Sequence, residues 1–487
     1  MRQASRSIWW LTVGLWVAVP SLAAQISRTE YAARRDSVAL RIGNGVLVAF
    51  GGRTPVSDFG PFFQLPAFRY LTGYLHAEAT LVMVIREGRG QSTLFVHRTA
   101  PRRSLYYGIE PDSAAIAGEL GLVSREAGAL AGVLDSLARG GLPFHALRDF
   151  EAADFAGNDS LTRGTAVMRT LAARHPGLQV RDAHPLVDRL RARKSPAELA
   201  LIRKAGDISA DGHAALMRQA APGMHEYDFQ AIVEYAFRRA GAERPAYGAI
   251  VGSGPKATEL HYMKNRRAIQ PGDVVVIDAG AEFDGYTADI TRTIPLTGRF
   301  TPDHRVLYQL VLDALLAAER NSKPGLSMVA ATDSSVDVRA RGLAALGLIE
   351  SPDAQYDPPW PADCSRNPGS CRQATLWTIH GITHGIGLEV HDPLQAYYGD
   401  RRFAVGDAFT IEPGIYVSRR QLEILPDTPR NRAFAARVRN AVERFAGTGV
   451  RIEDSYVITA RGLERISAGV PREIAEVEAL MRGRPVP

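Results

Sequence analysis

Along this chain the spacing of apolar positions switches between a strand period and a helix period, and the switches mark its elements. Val274-Val275-Val276-Ile277 is a continuous β-branched apolar run that reads as a buried strand, and Asp278 follows where the pattern predicts burial rather than charge. A buried carboxylate needs a cation. If Asp284-Gly285 is a hairpin turn, the register places Asp278 opposite Thr291 and Asp289 opposite Gly280, two positions away on the same face. Diagonal neighbours of this kind lie about 7–8 Å apart, close enough for two carboxylates to hold metal ions between them. Gly280 has no side chain to crowd that face.

Three later segments repeat the device. In Phe409-Thr410-Ile411-Glu412 the apolar residues alternate with a face carrying Thr410 and Glu412, and Pro413-Gly414 ends the strand. In Val450-Arg451-Ile452-Glu453 the same alternation puts Arg451 and Glu453 on one face. His384 lies in a glycine-rich run from His380 to Gly387, where the backbone can be approached closely. Leu388-Glu389-Val390-His391 then reads as a strand with His391 pointing away from the apolar side.

The first part of the chain mixes helix and strand patterns: a helix over 31–42, strands over 46–50, 80–85 and 93–97, and helices near 112–119 and 160–174. Its aromatic cluster, Phe62, Phe63, Phe68, Tyr70 and Tyr74, reads as core. Ser195-Pro196-Ala197-Glu198 is a capping box with proline at the first helical position, and Leu199, Ile202 and Leu216 continue an amphipathic helix. A second helix spans 226–240, and a third follows Thr301-Pro302 with Val306, Leu310 and Leu316 on its apolar side. A long connection between Glu412 and Glu453 holds an arginine-rich helical stretch over 432–445, either a specificity or oligomer element or an ordinary surface helix.

The segments IDAGAEFDGYTADITRT, HGITHGIGLEVHD, TIEPGIY and VRIEDSYVIT, in this order, closely resemble the metal-binding segments of the pita-bread metallopeptidases, in particular the aminopeptidase P and prolidase group. PFFQLPAFRYLTGY resembles the N-terminal domain of that group, and RARKSPAELALIRKAG its entry into the catalytic domain. The resemblance implies an α+β architecture, with an N-terminal α/β domain over 25–185 and a pita-bread catalytic domain over 186–487. It also implies a homo-oligomer, a dimer or tetramer, in which the N-terminal domain rims the active-site groove.

Matched residue by residue, the resemblance implies that Asp289 and Glu453 bridge a pair of divalent ions, that Asp278 completes one shell, and that His384 and Glu412 complete the other. Four carboxylates and one imidazole favour Mn²⁺, with Co²⁺ or Zn²⁺ as alternatives, over a thiolate-rich structural zinc site. The charge of four carboxylates suits two ions with a bridging hydroxide, the expected nucleophile for peptide hydrolysis. Glu412 is expected to shuttle the proton to the leaving nitrogen. Arg451 offsets residual charge, and His261, His380 and His391 match histidines that orient substrate and hydrogen-bond its carbonyl or the developing oxyanion.

Composition adds limits. The 487 residues are 46% hydrophobic and 23% charged, ordinary for a soluble globular protein of two or more domains. The formal charge of +6 comes without a basic run, so no nucleic-acid partner is indicated. Arg2 and Arg6 precede an apolar run over 8–19, followed by Ser21-Leu22-Ala23-Ala24, the pattern of a signal peptide over 1–24 cut after Ala23 or Ala24. The run is shorter than the roughly 20 residues that cross a bilayer, so no stable membrane anchor is expected after cleavage. The expectation is a periplasmic or secreted protein. Export would put Cys364 and Cys371 in an oxidising compartment, where a disulfide pinning their loop is expected over two free thiols.

The leading functional expectation is an exported dinuclear Xaa-Pro aminopeptidase acting on proline-containing peptides. The alternatives are a dipeptidase restricted to Xaa-Pro and a non-catalytic peptide-binding relative; the second would lack metal ligands, and all five are present.

Overall fold

The computed structural model describes residues 26–54, 60–149 and 162–483. The signal-peptide pattern over 1–24 lies outside them, as does the beginning of the helix expected from residue 160. Among the described residues no helix is long and apolar enough to cross a membrane.

The N-terminal part is one six-stranded mixed sheet. Strands β1 (Gly45–Phe50), β2 (Thr80–Arg86), β3 (Arg89–Val96), β4 (Val123–Glu126), β5 (Phe144–Leu147) and β6 (Val180–Asp182) lie in the order β4-β3-β2-β1-β5-β6. Every residue of β1 is buried, because this central strand is covered on both faces. The helices Arg28–Ile42, Ser113–Leu120 and Arg163–Arg174 match the sequence expectation to within a few residues. Strands β4 and β6 carry almost no apolar side chain that could have announced them. Of the aromatic cluster, Phe68, Tyr70 and Tyr74 are core. Phe63 instead lies half-buried, with the Arg244 guanidinium 3.8 Å from its ring centre.

The catalytic-domain expectation begins at the capping box. Ser195 Oγ accepts from the Glu198 amide (3.2 Å), and the Glu198 carboxylate accepts from the Ser195 amide (2.9 Å), starting the 24-residue helix Pro196–Gln219. The helix Pro302–Asn321 buries Leu307, Tyr308, Val311, Leu312 and Leu315. Val306, expected on the apolar side, is exposed, while Leu310 and Leu316 flank the core. Val306 lies beyond the edge of the stripe, while the helix Met328–Ala345 packs beside it and takes Leu310 over Gly342, whose added Cβ would lie 2.2 Å from Leu310.

Around these helices are antiparallel strands: β7 (Arg244–Pro245), β8 (Ile250–Ser253), β9 (Val274–Asp278), β10 (Ala281–Phe283), β11 (Tyr286–Thr287), β12 (Thr291–Pro295), β13 (Ala408–Ile411), β14 (Gly414–Val417), β15 (Thr448–Arg451), β16 (Asp454–Thr459) and β17 (Gly462–Arg465). They form the sheets β12-β9-β8, β11-β10-β7, β13-β16-β17 and β14-β15. The hairpin has the expected register. Asp278 lies opposite Thr291. Asp284 and Gly285 both have positive φ, 46° and 75°, as a type I′ turn requires. Between Asp278 and Ala281 the ribbon passes from one sheet to another, and a Cβ on Gly280 would stand 1.8 Å from the Ala288 carbonyl oxygen. Glycine is therefore obligatory at the bend.

One expectation is overturned. Leu388–His391 is not a strand but part of a tight fold-back in which Gly385 bridges Asp392. The Asp392 amide donates to the Gly385 carbonyl (2.8 Å), and the Asp392 carboxylate accepts from the Glu389 amide (3.2 Å). That carboxylate is held by Lys194 (2.9 Å) and Arg191, so a buried charge cluster outweighs the strand preference of two apolar residues. Cys364 and Cys371 form the expected disulfide. In the connection after Glu412, the helix Pro429–Phe445 buries Phe434, Val438, Val442 and Phe445 in the main core.

The hairpin tip touches the N-terminal part through Arg69 and Asp284 (2.5 Å), and Glu30 accepts from Ser195 Oγ (2.7 Å). We expect Gly280→Ala to lower stability by about 3 kcal/mol, since the clash is with backbone, whereas Gly132→Ala, in a helix with open space around it, is neutral or slightly stabilising. Thermal unfolding of the two variants checks this; equal midpoints would contradict it.

Candidate metal centre

Each of the four proposed carboxylate ligands stands at or beside a strand end. Asp278 closes β9, Asp289 precedes β12, Glu412 follows β13 and Glu453 sits between β15 and β16. A strand end supplies rigid backbone on one side and freedom to turn a carboxylate into a cavity on the other. His384 is brought in by the glycine-rich run, which lies along β13: the Ile386 amide donates to the Ala408 carbonyl, and the amides of Thr410 and Glu412 donate to the carbonyls of His384 and Ile382.

The backbone of the cluster is tied from behind. The Asp289 amide donates to Ser455 Oγ (3.0 Å), which donates back to the Asp289 carbonyl (2.6 Å). The Glu453 amide donates to the Thr291 carbonyl (3.0 Å), and Thr291 Oγ1 donates to Glu453 Oε2 (2.7 Å). Arg292 is wholly buried; it donates to the Glu453 carbonyl and pairs with Asp454 at 2.6 Å.

Together the five side chains line a cavity of about 450 Å³. Ligand atoms of Asp289, His384 and Glu453 all lie within 4.8 Å of one another. His384 Nε2 is 3.5 Å from Asp289, 3.6 Å from Glu412 and 3.8 Å from Glu453. Asp278 meets Asp289 through the Tyr247 hydroxyl, which is 2.6 Å from Asp278 and also contacts Asp289. Glu453 Oε1 is buried without a hydrogen-bond partner.

Electrostatics separates the carboxyls. Burial works against charge on Asp278, but Arg451 (2.6 Å) and the Tyr247 hydroxyl hold its carboxyl below the usual value. Burial and the charge on Asp278 push Asp289 well above it. Burial and neighbouring carboxylates do the same to Glu453. Burial, followed by the opposing effects of Arg451 and Asp278, leaves Glu412 at about 8. Burial and the adjacent His391 push His384 down to about 4, so its imidazole is neutral and able to ligate at neutral pH. A crowd of carboxyls that cannot all ionise, one orphaned oxygen and a neutral imidazole fit a divalent cation, and the oxygen-rich set fits a hard one.

The remaining expected residues surround this cluster. Arg451 donates to Asp278, to the Tyr416 hydroxyl (2.8 Å) and to Thr291 Oγ1 (3.1 Å). His380 Nε2 lies 2.8 Å from the Tyr416 hydroxyl, and its Nδ1 lies 3.5 Å from Glu412. Burial, with Arg451 and Arg339 nearby, pushes His380 down to about 3. The His391 ring is 4.2 Å from that of His384, and His261 is exposed on the cavity wall beside Leu260 and Met263.

Sequence reasoning missed three participants. Tyr247 gave no signal, since a lone tyrosine before a glycine looks like any other. Tyr416 lay inside a quoted segment without a role. Arg339 was hidden in a helix; it is buried, donates weakly to the Gly414 carbonyl (3.4 Å) and keeps an unpartnered Nε.

Comparison with known proteins agrees with this geometry. The profile of metallopeptidase family M24 matches residues 200–460, and that of the aminopeptidase P N-terminal domain matches residues 31–138. The Xaa-Pro aminopeptidase of Escherichia coli K12 is 32% identical over 476 residues, covering 94% of this chain and 98% of that protein. Human Xaa-Pro dipeptidase is 30% identical over 62% of each chain. Among solved structures, E. coli aminopeptidase P with the inhibitor Pro-Leu superposes with a TM-score of 0.77 at 30% identity, covering 94% of this chain and 99% of the other. Proline aminopeptidase P II from Yersinia pestis superposes with a TM-score of 0.76 at the same identity and coverage. The architecture is thus the pita-bread fold behind an aminopeptidase P N-terminal domain, and the chain belongs to metallopeptidase family M24.

Proposed function

We propose that this metallopeptidase is an Xaa-Pro aminopeptidase that releases the N-terminal residue ahead of proline, using a pair of divalent ions held by Asp278, Asp289, His384, Glu412 and Glu453. The observation that carries it is the convergence of Asp289, His384 and Glu453 on one cavity, with Glu453 Oε1 buried and unpartnered. Relatives named Xaa-Pro aminopeptidase support the bond specificity. When bound, the ions supply Lewis acidity, making water nucleophilic at neutral pH and polarising the scissile carbonyl.

The chain's own groups do the rest. Glu412, beside His380, takes a proton from the attacking water and delivers it to the leaving nitrogen. His391 and His261, on the cavity wall, donate to the substrate carbonyl and to the oxyanion it becomes. Arg451 keeps Asp278 ionised, and Tyr247 fixes the two aspartates relative to each other. Mn²⁺ is the ion best suited to this oxygen-rich set. The protein is exported: the N-terminal charge and apolar pattern supports this, and so does the Cys364–Cys371 bridge.

Three results are expected. A peptide-library digest by Mn²⁺-reconstituted protein, read by mass spectrometry, yields cleavage between the first residue and a following proline, and Asp289→Ala or His384→Ala abolishes it; undiminished hydrolysis by both variants rejects the mechanism, and cleavage of dipeptides alone makes the protein a dipeptidase. In the metal-free protein Glu412 titrates near 8, and Asp289 and Glu453 also titrate above their ordinary values. Because these folded-state values are raised, folding holds extra protons, and metal-free stability falls as pH rises from the unfolded carboxyl range of about 4.3 through about 8. Metal loading at neutral pH therefore releases protons, measurable by calorimetry in buffers of different ionisation heat; buffer-independent heats would contradict this. For export, N-terminal sequencing of the mature protein reads Ala24 or Gln25 first, and an intact Met1 would refute it.

A further inference from the structure

A second cavity, of about 770 Å³, adjoins the metal-site cavity, and the two share His380 and Gly381 in their walls. The segment that lines the first cavity with Leu260 and His261 lines the second with Thr258 and Glu259. The far walls come from two stretches to which the hydrolytic chemistry assigns no task. One is the segment that bears the disulfide, which contributes Trp360, ahead of Cys364, and Ser370, next to Cys371. The other is the start of the Glu412–Glu453 connection, where a short helix, Arg420–Glu423, contributes Arg420 and Gln421.

Three large apolar side chains in this cavity are exposed: Trp360 (40%), Ile379 (43%) and Ile424 (44%). Hydroxyl and amide groups of Thr375, Ser418 and Gln421 stand among them. This mixture of apolar faces and scattered hydrogen-bonding groups suits an extended peptide. Charge fixes which end of the peptide enters. Glu259 is already paired with Lys256 at 2.6 Å, and no carboxylate lies within 4 Å of the Arg420 guanidinium among the described residues. The wall therefore offers a free cation and no free anion, so it repels an amino terminus and attracts a carboxylate. The amino terminus belongs on the carboxylate-rich side.

We propose that this second cavity binds the part of the substrate that follows the proline, with an apolar side chain against Trp360, Ile379 and Ile424 and a carboxylate, terminal or from an acidic residue, at Arg420. The site makes the enzyme selective for peptides of several residues. The Cys364–Cys371 bridge is a positioning element: the Cys371 carbonyl accepts from the Tyr356 amide (3.0 Å), and the Tyr356 ring meets the Trp360 ring edge-on. This assignment rests on the Xaa-Pro aminopeptidase reading and extends it to substrate length and sequence.

The test compares Ala-Pro-Ala with Ala-Pro-Ala-Phe-Glu on the metal-loaded full chain. Trp360→Ala is expected to raise KM for the pentapeptide about tenfold, as removal of an aromatic anchor does, and to raise that for Ala-Pro-Ala, which has no large apolar side chain to set against Trp360, far less. A Cys364→Ser/Cys371→Ser double variant shifts the pentapeptide in the same direction. Arg420→Gln weakens peptides with a free terminal carboxylate or Glu and spares the amidated Ala-Pro-Ala-Phe-Gln. Equal KM for both peptides in the wild type, or equal losses on both in Trp360→Ala, overturns the proposal. If no Xaa-Pro peptide is cleaved, the functional reading has failed. Calorimetric titration of Pro-Ala-Phe-Glu then decides this one separately: weaker binding to Trp360→Ala supports it, and identical or absent binding overturns it.

Discussion

Like charge held in a small buried volume is the constraint on which the structure turns. Asp278, Asp289, Glu412 and Glu453 meet in a cavity where burial leaves water little room to screen them, and of the four only Asp278 has a guanidinium in direct contact. Left alone, the other three rise toward protonation. The fold does not relieve this by adding arginines at the mouth of the site. It puts them behind: Arg451 under Asp278, and Arg292 under the strand junction that carries Glu453, clasped to Asp454. The rear of the site is thus neutralised, while its front is left for cations from solution.

Much of this was legible because strand periodicity is strict. A one-residue slip would turn Asp278 and Asp289 to the wrong face, so the Asp284-Gly285 turn and the β-branched run before Asp278 together specified the register, and the structure has it. The capping box at Ser195 was equally plain, since its two hydrogen bonds are local. Elements whose cause is not local were hidden. The fold-back at Leu388–His391 depends on Arg191 and Lys194, far away in sequence, and the apolar spacing there suggested a strand. Val306 was set on the apolar side of its helix and is exposed for a similar reason, since the partner helix decides which residues at the stripe's edge face inward, while Leu310 and Leu316 pack as expected.

The candidate site divides in the same way. Carboxylates at strand ends and a histidine in a glycine-rich run stand out against their surroundings, so the five proposed ligands could be named from the pattern, whereas His261, His380 and His391 were named only through the family resemblance. Tyr247 and Arg339 could not, because their importance comes from what tertiary structure places beside them: two aspartates for one, and Tyr416 and Glu412 for the other.

The stretch joining the two parts of the chain has a mechanical meaning of its own. Arg191 and Lys194 lie just before the cap at Ser195, where an articulation between domains would naturally be sought, yet both are buried against Asp392. Bending there would strip a buried carboxylate of its counter-charges, a loss on the order of 3–5 kcal/mol. The end of this connection is therefore clamped to the catalytic part, and because Asp392 immediately follows His391, the same buried charges anchor the backbone that carries this imidazole.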